Sequence, residues 1–506
     1  MHSVDGLLVA HRADDIRAAE QPVLLALPED GLMDRAAAAL VAVCADVLRQ
    51  WKKRVYGQRV VMLVGSGNNG GDALLAGADL QRRGAQVFAV LTAEHAHARG
   101  VRLFTATGGR IVRASDESGE AHAAILLARA DLVVDGILGI SGRPGLTGSA
   151  ERLVAAIPSG APVVAVDMPS GVDPDTGELA GAHVRADVTV SFGTLKPCLL
   201  LPPATYAAGR VVHVSVGIEA GLPEVPLVRR LTAQGVAARW PIPRHVGHKY
   251  TRGVLGVVAG SDTYPGAAVL AVAGAQRSGV GIVRFIGPPQ VTDHVLRAVP
   301  ESVPGKGRVQ AWLLGSGVES DPDQDGVIRE ALASGLPCVV DAGALSECVR
   351  QRAEGIRPAS AEDVLLTPHA GEAARMLTQL GHQTERNDVE DRPAFHAIKL
   401  AQAVDAMVLL KGPTTLIASP DGSLASQNDG PSWLATAGTG DVLAGIAGAL
   451  MAQGVQAMEA GAMAAYVHGK AGDRASAGGP ISAGDVAAAT PPTIAEFLNA
   501  FRSRHM

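Results

Sequence analysis

Long apolar runs and clusters of basic residues are both missing from this 506-residue sequence. A membrane span needs roughly 18 consecutive apolar residues, and no run approaches that length, so we expect no contact with membranes. The formal net charge is −6. Because no stripe of lysine and arginine stands out, nucleic acid is not an expected partner, and any phosphate site must be local.

Cysteine is also scarce. The four cysteines are Cys44, Cys198, Cys338 and Cys348, and no two of them form a C-x-x-C pair. A zinc site or a disulfide framework is therefore not expected, and a reducing cytoplasm fits this cysteine usage. Residues 1–20 contain four acidic side chains and no continuous apolar core, so we expect no signal peptide.

The composition that remains is that of a globular protein. Hydrophobic residues make up 47% and charged residues 19% of the chain. The length allows two or three domains, each with its own core. We find no short repeat, low-complexity tract or coiled coil.

Two stretches alternate short β-branched runs with Ala- and Leu-rich segments, which predicts an α/β protein with mainly parallel sheets. The strands predicted for the first stretch are Val60–Val64, Gln86–Leu91, Leu132–Val134, Pro162–Val166, Val188–Phe192 and Arg210–Val216. Those predicted for the second are Val254–Ala259, Ile282–Ile286, Ala311–Leu314, Pro337–Val340, Val364–Leu366, Met407–Leu410 and Thr415–Ala418. Glycines and prolines interrupt the pattern between them. We therefore predict domains at 1–218 and 236–506, joined by a linker at 219–235.

The most informative motif of the first domain is Asn68–Asp72, which follows a predicted strand and a Gly-Ser-Gly turn. A glycine-rich turn at a helix N-terminus exposes backbone N–H groups that bind anions. A tight turn with a helix cap at Asp72 is the alternative. A doubled asparagine followed by a doubled glycine exceeds what capping requires.

Other polar residues follow neighbouring strands of the same sheet. Asp135 and Asp167 each end an apolar run, and Lys196 lies just past another. Carboxyl-end loops of parallel strands share one edge, so these residues should converge on one cleft. The asparagines, Asp135 and the Ser170 hydroxyl would form an all-oxygen site for an alkali or alkaline-earth cation. Both aspartates could instead be loop caps.

The second domain carries Ala437–Asp441 at the start of an apolar helix. Gly438 and Gly440 allow main-chain N–H groups to face a phosphate, and Asp441 can orient or deprotonate a hydroxyl. Phosphoryl transfer depends on this kind of positioning and charge neutralisation.

Further candidates end other strands of the second domain. Lys411 supplies a cation and is followed by two threonines, and His369 lies in a Thr-Pro-His-Ala-Gly-Glu segment. Gly315–Gly317 would let a backbone approach a ligand closely. The sequence leaves open a solvated lysine and a structural histidine.

These motifs resemble those of a known family. The first half is similar to NAD(P)H-hydrate epimerase in Gly65–Asp72, Val134–Gly136 and Val166–Gly171. The second half resembles ADP-dependent NAD(P)H-hydrate dehydratase of the ribokinase-like superfamily in Thr367–Glu372, Lys411–Gly412 and Ala437–Asp441. With the epimerase-like half first and the dehydratase-like half second, the sequence resembles the bifunctional nicotinamide-nucleotide repair enzymes over nearly the whole chain. The resemblance implies a Rossmann-like N-terminal domain and a ribokinase-like C-terminal domain.

The resemblance also implies site residues. Contacts to the hydrate in the epimerase are expected from Asn68, Asn69, Gly70, Gly71, Asp72, Gly139, Ile140, Ser141, Gly142, Arg143, Pro144, Gly145 and Asp167, and potassium ligands from Asn69, Asp135 and Ser170. Contacts to the hydrate in the dehydratase are expected from Ala268, Gly317, His369 and Asp441, and nucleotide contacts from Lys411, Gly412, Pro413, Thr414, Thr415 and Gly440. Asp167 and Asp441 are the expected catalytic residues. Ala73 departs from the family, which often has glycine there, and its methyl group could narrow the cleft.

The implied function is repair of hydrated NADH and NADPH, the expected small-molecule substrates. The first domain would interconvert the R and S hydrates with K⁺, and the second would dehydrate the S form with Mg²⁺ and ADP as phosphoryl donor. We expect a homo-oligomer of unspecified size. Two rivals stay open at this point. One is a ribokinase-like kinase for a vitamin precursor, and the other is a protein whose N-terminal domain binds without turnover.

Overall fold

The computed structural model describes residues 6–26, 31–243, 245–319 and 321–505. The chain forms two compact units, the first containing Leu8–Val228 and the second containing the residues from Arg229 onward together with Leu7. This division falls inside the predicted linker of residues 219–235. The predicted linker contains a strand, Val228–Leu231, and the exact domain bounds stay a prediction.

The first unit is built on a parallel sheet of seven strands in the order β4-β3-β2-β5-β6-β7-β8. Strand β1 (Leu7–Ala10) precedes it in the chain, and the sheet strands are β2 (Arg59–Val64), β3 (Gln86–Leu91), β4 (Arg110–Arg113), β5 (Leu132–Gly136), β6 (Val163–Val166), β7 (Val188–Phe192) and β8 (Arg210–Val214). The order runs outward from β2 in one direction and then resumes at β5 on its other side. This is the strand order of a Rossmann-like fold.

Helices cover both faces of this sheet. They are α1 (Ala13–Ala26), α2 (Gly31–Lys52), α3 (Asn68–Arg82), α4 (Ala98–Ala106), α5 (Glu117–Leu127) and α6 (Gly148–Ala155). Successive side chains of a strand point to opposite faces. Met62 of β2 accordingly shares an apolar cluster with Leu40 of α2, whereas Leu63 shares another with Leu127 of α5. A strand buried on both faces explains why β2 reads as a continuous apolar run.

The second unit has its own, longer sheet. Its strands are β9 (Val228–Leu231), β10 (Val254–Val258), β11 (Ile282–Ile286), β12 (Val303–Pro304), β13 (Ala311–Leu314), β14 (Cys338–Val340), β15 (Val364–Leu366), β16 (Met407–Leu410), β17 (Thr415–Ala418) and β18 (Leu424–Gln427). From β9 the order is β9-β18-β17-β16-β15-β14-β13-β10-β11-β12. Strands β10 to β16 pair in parallel, and the β16-β17-β18 segment is antiparallel.

The helices of the second unit are α7 (Ala233–Arg239), α8 (Pro265–Arg277), α9 (Pro289–Ala298), α10 (Pro322–Ala333), α11 (Leu345–Ala353), α12 (Ala370–Gln379), α13 (Arg386–Asp391), α14 (Pro393–Val404), α15 (Thr439–Ala452), α16 (Ala457–Ser476) and α17 (Ala483–His505). Helices α8 and α15 pack at very short range. A Cβ on Gly445 of α15 would lie 2.2 Å from the carbonyl oxygen of Ala271 in α8. Glycine at this position therefore lets α15 approach α8 closely.

The predicted α/β class is confirmed in both units. Each predicted strand coincides with an observed one to within a few residues. The sequence reading missed short strands such as β4, β12 and β18, which have few apolar residues to mark them. None of the helices in the described ranges combines the length and apolar character that a membrane crossing requires.

Candidate active sites

A cavity of about 650 Å³ lies at the carboxyl end of the first sheet. Its walls include the loops that follow β2, β5 and β6, together with side chains of α1 and α2. The strand order switches direction between β2 and β5, and ligands of open α/β sheets bind at such switch points. The cavity therefore lies where the fold places a ligand.

This cavity brings together most of the residues predicted for the first site. Its lining includes Asn68, Asn69, Asp72, Gly139, Ile140, Ser141, Gly142 and Asp167. The remaining predicted contacts, Gly70, Gly71, Arg143, Pro144 and Gly145, are not among its lining residues in the described part of the chain. Gly70 has a packing role instead, because a Cβ there would lie 2.2 Å from the Gly65 carbonyl oxygen.

Asp72 is buried in the wall of the cavity. Helix α3 is capped at Gly67, so Asp72 is not the helix cap that the sequence left open. Its Oδ1 has no hydrogen-bond partner among the described residues. Burial raises the pKa of Asp72 well above its ordinary value, and the carboxylates of Asp167 and Glu20 raise it further, whereas Lys196 opposes them. The surroundings thus favour a neutral carboxylic acid.

Asp167 has the opposite environment. Its carboxylate forms a buried ion pair with Lys196 and accepts a hydrogen bond from the Phe192 backbone N–H at 3.1 Å. Lys196 Nζ also donates to the Phe192 carbonyl oxygen at 2.9 Å. Asp167 has a φ of +69°, a conformation that few non-glycine residues adopt. A residue held in such a conformation at a cavity points to a functional constraint.

Lys196 lies in the cleft where the sequence placed it, whereas Glu20 is a lining residue that the sequence did not indicate. Both line the cavity. Lys196 follows β7, so its position at the sheet edge was predictable, but its pairing with Asp167 was not. Glu20 lies on α1, and no motif marks it. Burial and the charge of Asp167 raise the pKa of Glu20.

The predicted cation ligands also lie close together. The Ser170 hydroxyl donates to Asp135 Oδ1 at 2.6 Å, and the Ser170 backbone N–H donates to Asp135 Oδ2 at 2.8 Å. Asn69 Nδ2 donates to the carbonyl oxygens of Val166, at 2.6 Å, and Leu138, at 3.3 Å. Several oxygens thus converge here beside the cavity.

Asp135 is fully buried in this group. Burial raises its pKa to about 6, and the hydrogen bonds from Ser170 and the Ile137 backbone N–H limit the rise. The Asp135 carboxylate accepts a hydrogen bond from the Ile137 backbone N–H in the loop after β5. This is the loop-capping role that the sequence left open. This role and a cation site are compatible, because a carboxylate has lone pairs for both.

Ala73, the departure from the family, does not narrow the cavity. Its side chain is fully buried. A Cβ on Gly136 would lie 2.8 Å from the Ala73 methyl carbon, so this methyl group faces the backbone of β5.

The second unit presents a different site at the start of α15. Gly438 caps this helix with a φ of +89°, which favours glycine. Asp441 lies in the first turn and is half-buried. Burial and the negative charge of Asp341 raise the pKa of Asp441 to about 7, against the opposing effect of Lys411, and Glu372 adds to the rise.

Lys411 is held by two carboxylates. Its Nζ lies 3.0 Å from Asp341 Oδ1 and 3.8 Å from Glu372 Oε2. Burial lowers the pKa of Lys411, but Asp341, Glu372 and Asp441 outweigh it and raise the pKa above its ordinary value. Lys411 is therefore a half-buried, charged group in the site rather than the solvated lysine that the sequence left open.

Asp341 is the main residue of this site that the sequence reading missed. It follows β14 and is almost completely buried. The hydroxyls of Ser316 and Thr367 donate to it at 2.9 and 2.8 Å. The signal was present in the sequence, because Asp341 ends an apolar run in the same way as Asp135 and Asp167.

His369 caps α12. Its Nδ1 accepts from the backbone N–H groups of Gly371 and Glu372 at 3.1 and 3.3 Å, and Glu372 accepts from the His369 backbone N–H in return. Burial lowers the pKa of His369, Glu372 opposes it, and Lys411 lowers it further. The structural role that the sequence left open is thus present, and the ring remains about half exposed.

The other predicted residues of the second unit differ in accessibility. Ala268 is fully buried in α8, and Gly317 has a φ of +66° at the end of β13. Thr414 is buried, and its hydroxyl has no partner in the described ranges. Lys411 Nζ lies 3.6 Å from the position that a Cβ on Gly440 would take. Lys411 therefore lies close to Gly440 at the start of α15. The predicted nucleotide loop, which begins at Lys411, also contains Gly412, Pro413 and Thr415.

Comparison with known proteins matches both units. A family model described as NAD(P)H-hydrate dehydratase matches residues 255–487, and one described as YjeF-related protein N-terminus matches residues 29–198. A bifunctional NAD(P)H-hydrate repair enzyme Nnr of Mycobacterium tuberculosis is 42% identical over 457 residues, which are 89% of this chain and 91% of that protein. The protein of the same name from Moorella thermoacetica is 33% identical over 89% of each chain.

Among solved structures, the ADP/ATP-dependent NAD(P)H-hydrate dehydratase of Bacillus subtilis, co-crystallised with ATP and Mg²⁺, is 28% identical. It covers 53% of this chain and 97% of its own, with a TM-score of 0.48.

Proposed function

The chain belongs to the family of bifunctional NAD(P)H-hydrate repair enzymes. On this premise we propose that it converts the hydrates of NADH and NADPH back to NADH and NADPH in two steps. The first unit interconverts the R and S epimers of the hydrate. The second dehydrates the S epimer at the expense of ADP, which yields AMP and phosphate. The observation that carries this proposal is 42% identity over 89% of the chain, a match longer than either unit alone.

The chemistry of the second unit follows from its charged groups. Hydroxide is a poor leaving group, whereas a phosphorylated hydroxyl leaves readily as phosphate. Asp441, with a pKa of about 7, is suited to accept the hydroxyl proton near neutral pH. Lys411 neutralises charge on the donor phosphates, and the backbone N–H groups of Gly438–Gly440 face the transferred group at the start of α15.

Mg²⁺ fits the same place. The carboxylates of Asp341 and Asp441 repel each other there, which a divalent cation would relieve. When bound, it neutralises charge on the donor oxygens, with water completing its coordination.

The chemistry of the first unit centres on the carbon that carries both the hydroxyl and the ring nitrogen. Inverting this carbon requires proton transfer, and Asp167 is the proposed acid–base residue. Asn68 and Ser141 line the same cavity and can orient the hydrate.

A potassium site fits the group formed by Asn69, Asp135 and Ser170. A half-turn of the Asn69 amide would exchange its nitrogen and oxygen, and Oδ1 would then join the Leu138 and Val166 carbonyl oxygens. Hard oxygen donors suit an alkali cation. When bound, K⁺ would supply positive charge to the site of the first unit.

The potassium assignment predicts that Asp135→Asn weakens epimerisation and removes its dependence on K⁺. The dehydratase should keep its rate, since Asp135 belongs to the first unit. The measurement is epimerase rate against K⁺ concentration at constant ionic strength, with tetramethylammonium as the replacing cation. Epimerase rates that ignore K⁺ in the unmutated chain would contradict the assignment.

The whole proposal is tested by supplying hydrated NADPH with ADP, ATP or no nucleotide and following NADPH recovery by its absorbance. We expect recovery only with a nucleotide, and preferentially with ADP. Recovery without any nucleotide, or a clear preference for ATP, would show the donor assignment to be wrong.

A vitamin-precursor kinase is not favoured as an alternative, because both units match the repair family. Phosphorylation of a vitamin precursor faster than repair of the hydrate would reverse this judgement. We also propose a cytoplasmic location, which the four buried free thiols support, and a homo-oligomer, which light scattering can test.

A further inference from the structure

Two carboxylates of the first cavity differ in their partners. Asp167 has a cation, Lys196, and a backbone N–H donor. Asp72 lies on a different element, α3, and its buried Oδ1 has no partner in the part of the chain that the structure describes. Both line the cavity. Asp167 thus has a cation and a hydrogen-bond donor beside it, whereas one buried oxygen of Asp72 has neither among the described residues.

The charges around Asp72 reinforce this difference. Glu20 faces it from α1, Asp167 from the end of β6 and Lys196 from the segment after β7, and burial adds to the two negative charges in raising the pKa of Asp72. Arg17 of α1 also lines the cavity, where it donates to the Ile140 carbonyl oxygen at 3.0 Å. Lys196, the lysine among the described lining residues of this cavity, is already paired with Asp167.

We propose that Asp72 is the general acid and Asp167 the general base of the epimerase, acting on opposite faces of the carbon that is inverted. This inference rests on the proposed function and deepens it. Two carboxyl groups in one cavity, one paired with a cation and the other with a buried unpartnered oxygen, are an arrangement suited to acid–base catalysis.

Asp72 gives its proton to the hydroxyl oxygen, the C–O bond breaks with its electron pair going to that oxygen, and water leaves. The lone pair of the ring nitrogen forms a C=N⁺ bond. A water molecule then adds to the opposite face, its oxygen forms the new C–O bond, and Asp167 takes its proton. The proton returns from Asp167 to Asp72 through water, and the reverse direction uses the same groups with exchanged roles.

Glu20 and Lys196 act as positioning residues in this scheme. The negative charge of Glu20 helps to raise the pKa of Asp72, and Lys196 holds the Asp167 carboxylate in place through their ion pair. Replacing Glu20 should therefore change the pH at which Asp72 loses its proton, while the acid itself stays in place.

The test compares Asp72→Asn and Glu20→Gln with the unmutated chain, from pH 5 to 9, in H₂¹⁸O. Epimerisation is followed by chromatography of the R and S hydrates, and ¹⁸O uptake by mass spectrometry. We expect the epimerase rate of the unmutated chain to fall as pH rises through the pKa of Asp72, because the acid must be protonated. Asp72→Asn should lose about 10²- to 10⁴-fold in epimerase rate, the usual contribution of a general acid.

In Glu20→Gln the alkaline fall should move to lower pH, since the loss of a negative charge favours ionised Asp72. An unfolding curve of Asp72→Asn close to that of the unmutated chain reports that the first unit is folded, and dehydration of the S hydrate in the same sample reports that the second unit is intact. An Asp72→Asn epimerase within 10-fold of the original, an unmoved alkaline limb in Glu20→Gln, or epimerisation without ¹⁸O uptake would overturn the inference. Absence of epimerase activity in the unmutated chain would instead refute the proposed function.

Discussion

At the scale of single residues, the protonation of Asp441 sets the pH at which the second unit works. Its pKa of about 7 arises first from burial and then from the negative charge of Asp341. A general base acts only when ionised, so kcat/KM for dehydration should rise with pH through about 7. Asp341→Asn removes a negative charge near Asp441, and the acidic limb should therefore move to lower pH. The measurement is the pH profile of kcat/KM for the S hydrate at saturating ADP in both proteins.

Ser316→Ala provides the matched control for this prediction. It removes one hydrogen bond from Asp341 at 2.9 Å but leaves the charge in place. The acidic limb should then stay close to its original position. A flat profile between pH 5 and 9 in the unmutated chain would remove Asp441 as the base.

The sequence predicted the polar residues that directly follow apolar strands or form glycine-rich turns. Asp167 and Lys411 belong to this group because a strand end at a parallel sheet edge fixes their location, and Asp441 belongs to it because it follows a glycine-rich turn at the start of α15. Glu20 could not be predicted, since it lies on a helix and reaches the cavity only through tertiary packing. The burial of Ala268 was equally invisible, because the sequence does not specify which side of α8 faces α15 and the core.

At the scale of secondary-structure elements, the packing of α15 on α8 should be sensitive to one methyl group. The Cβ of Gly445→Ala would lie 2.2 Å from the Ala271 carbonyl oxygen and 2.9 Å from the Ala275 backbone nitrogen. The two helices must separate, which typically costs about 1–3 kcal/mol for an overpacked core. Asp441 lies one turn away on α15, so dehydratase activity should fall together with stability. Denaturant unfolding and the two activities are the measurements.

Gly326→Ala in α10 is the control for this prediction. A Cβ there has no neighbour within 4 Å in the described part of the protein, and alanine has the higher helix propensity. Its free energy of unfolding should stay equal or increase by up to about 1 kcal/mol. If Gly445→Ala were as stable as Gly326→Ala, the close helix contact would not exist in solution.

The sequence predicted the positions of the strands along the chain better than their order in the sheets. Buried strands such as β2 and β10 were recognisable because both of their faces are covered and their residues are almost all apolar. Strand β12 has only two residues, both exposed, so no pattern could mark it. The strand order was also beyond the sequence, because it depends on where each crossover helix packs.

At the scale of the whole molecule, two sites on two units predict that the activities can be separated. Asp441→Ala should reduce nucleotide-dependent dehydration by about two to four orders of magnitude, since the base is lost. Epimerisation should continue at its original rate, because its proposed residues all lie in the first unit. Both activities are measured on one preparation of hydrated NADPH.

Asp441→Asn keeps the shape of the side chain and serves as the second variant. It should show the same loss of dehydration, together with an unfolding curve close to that of the unmutated chain. Equal loss of both activities in a folded variant would contradict two independent sites.

Asp341 joins the ends of four adjacent strands. It follows β14 and accepts from Ser316 after β13, Thr367 after β15 and Lys411 after β16. The Asp341 carboxylate therefore links the loops that form the second site. Local opening of any of these loops must break a hydrogen bond to Asp341. Amide hydrogen exchange at the four strand ends should consequently be slow and correlated, and loss of this one side chain would loosen all four together.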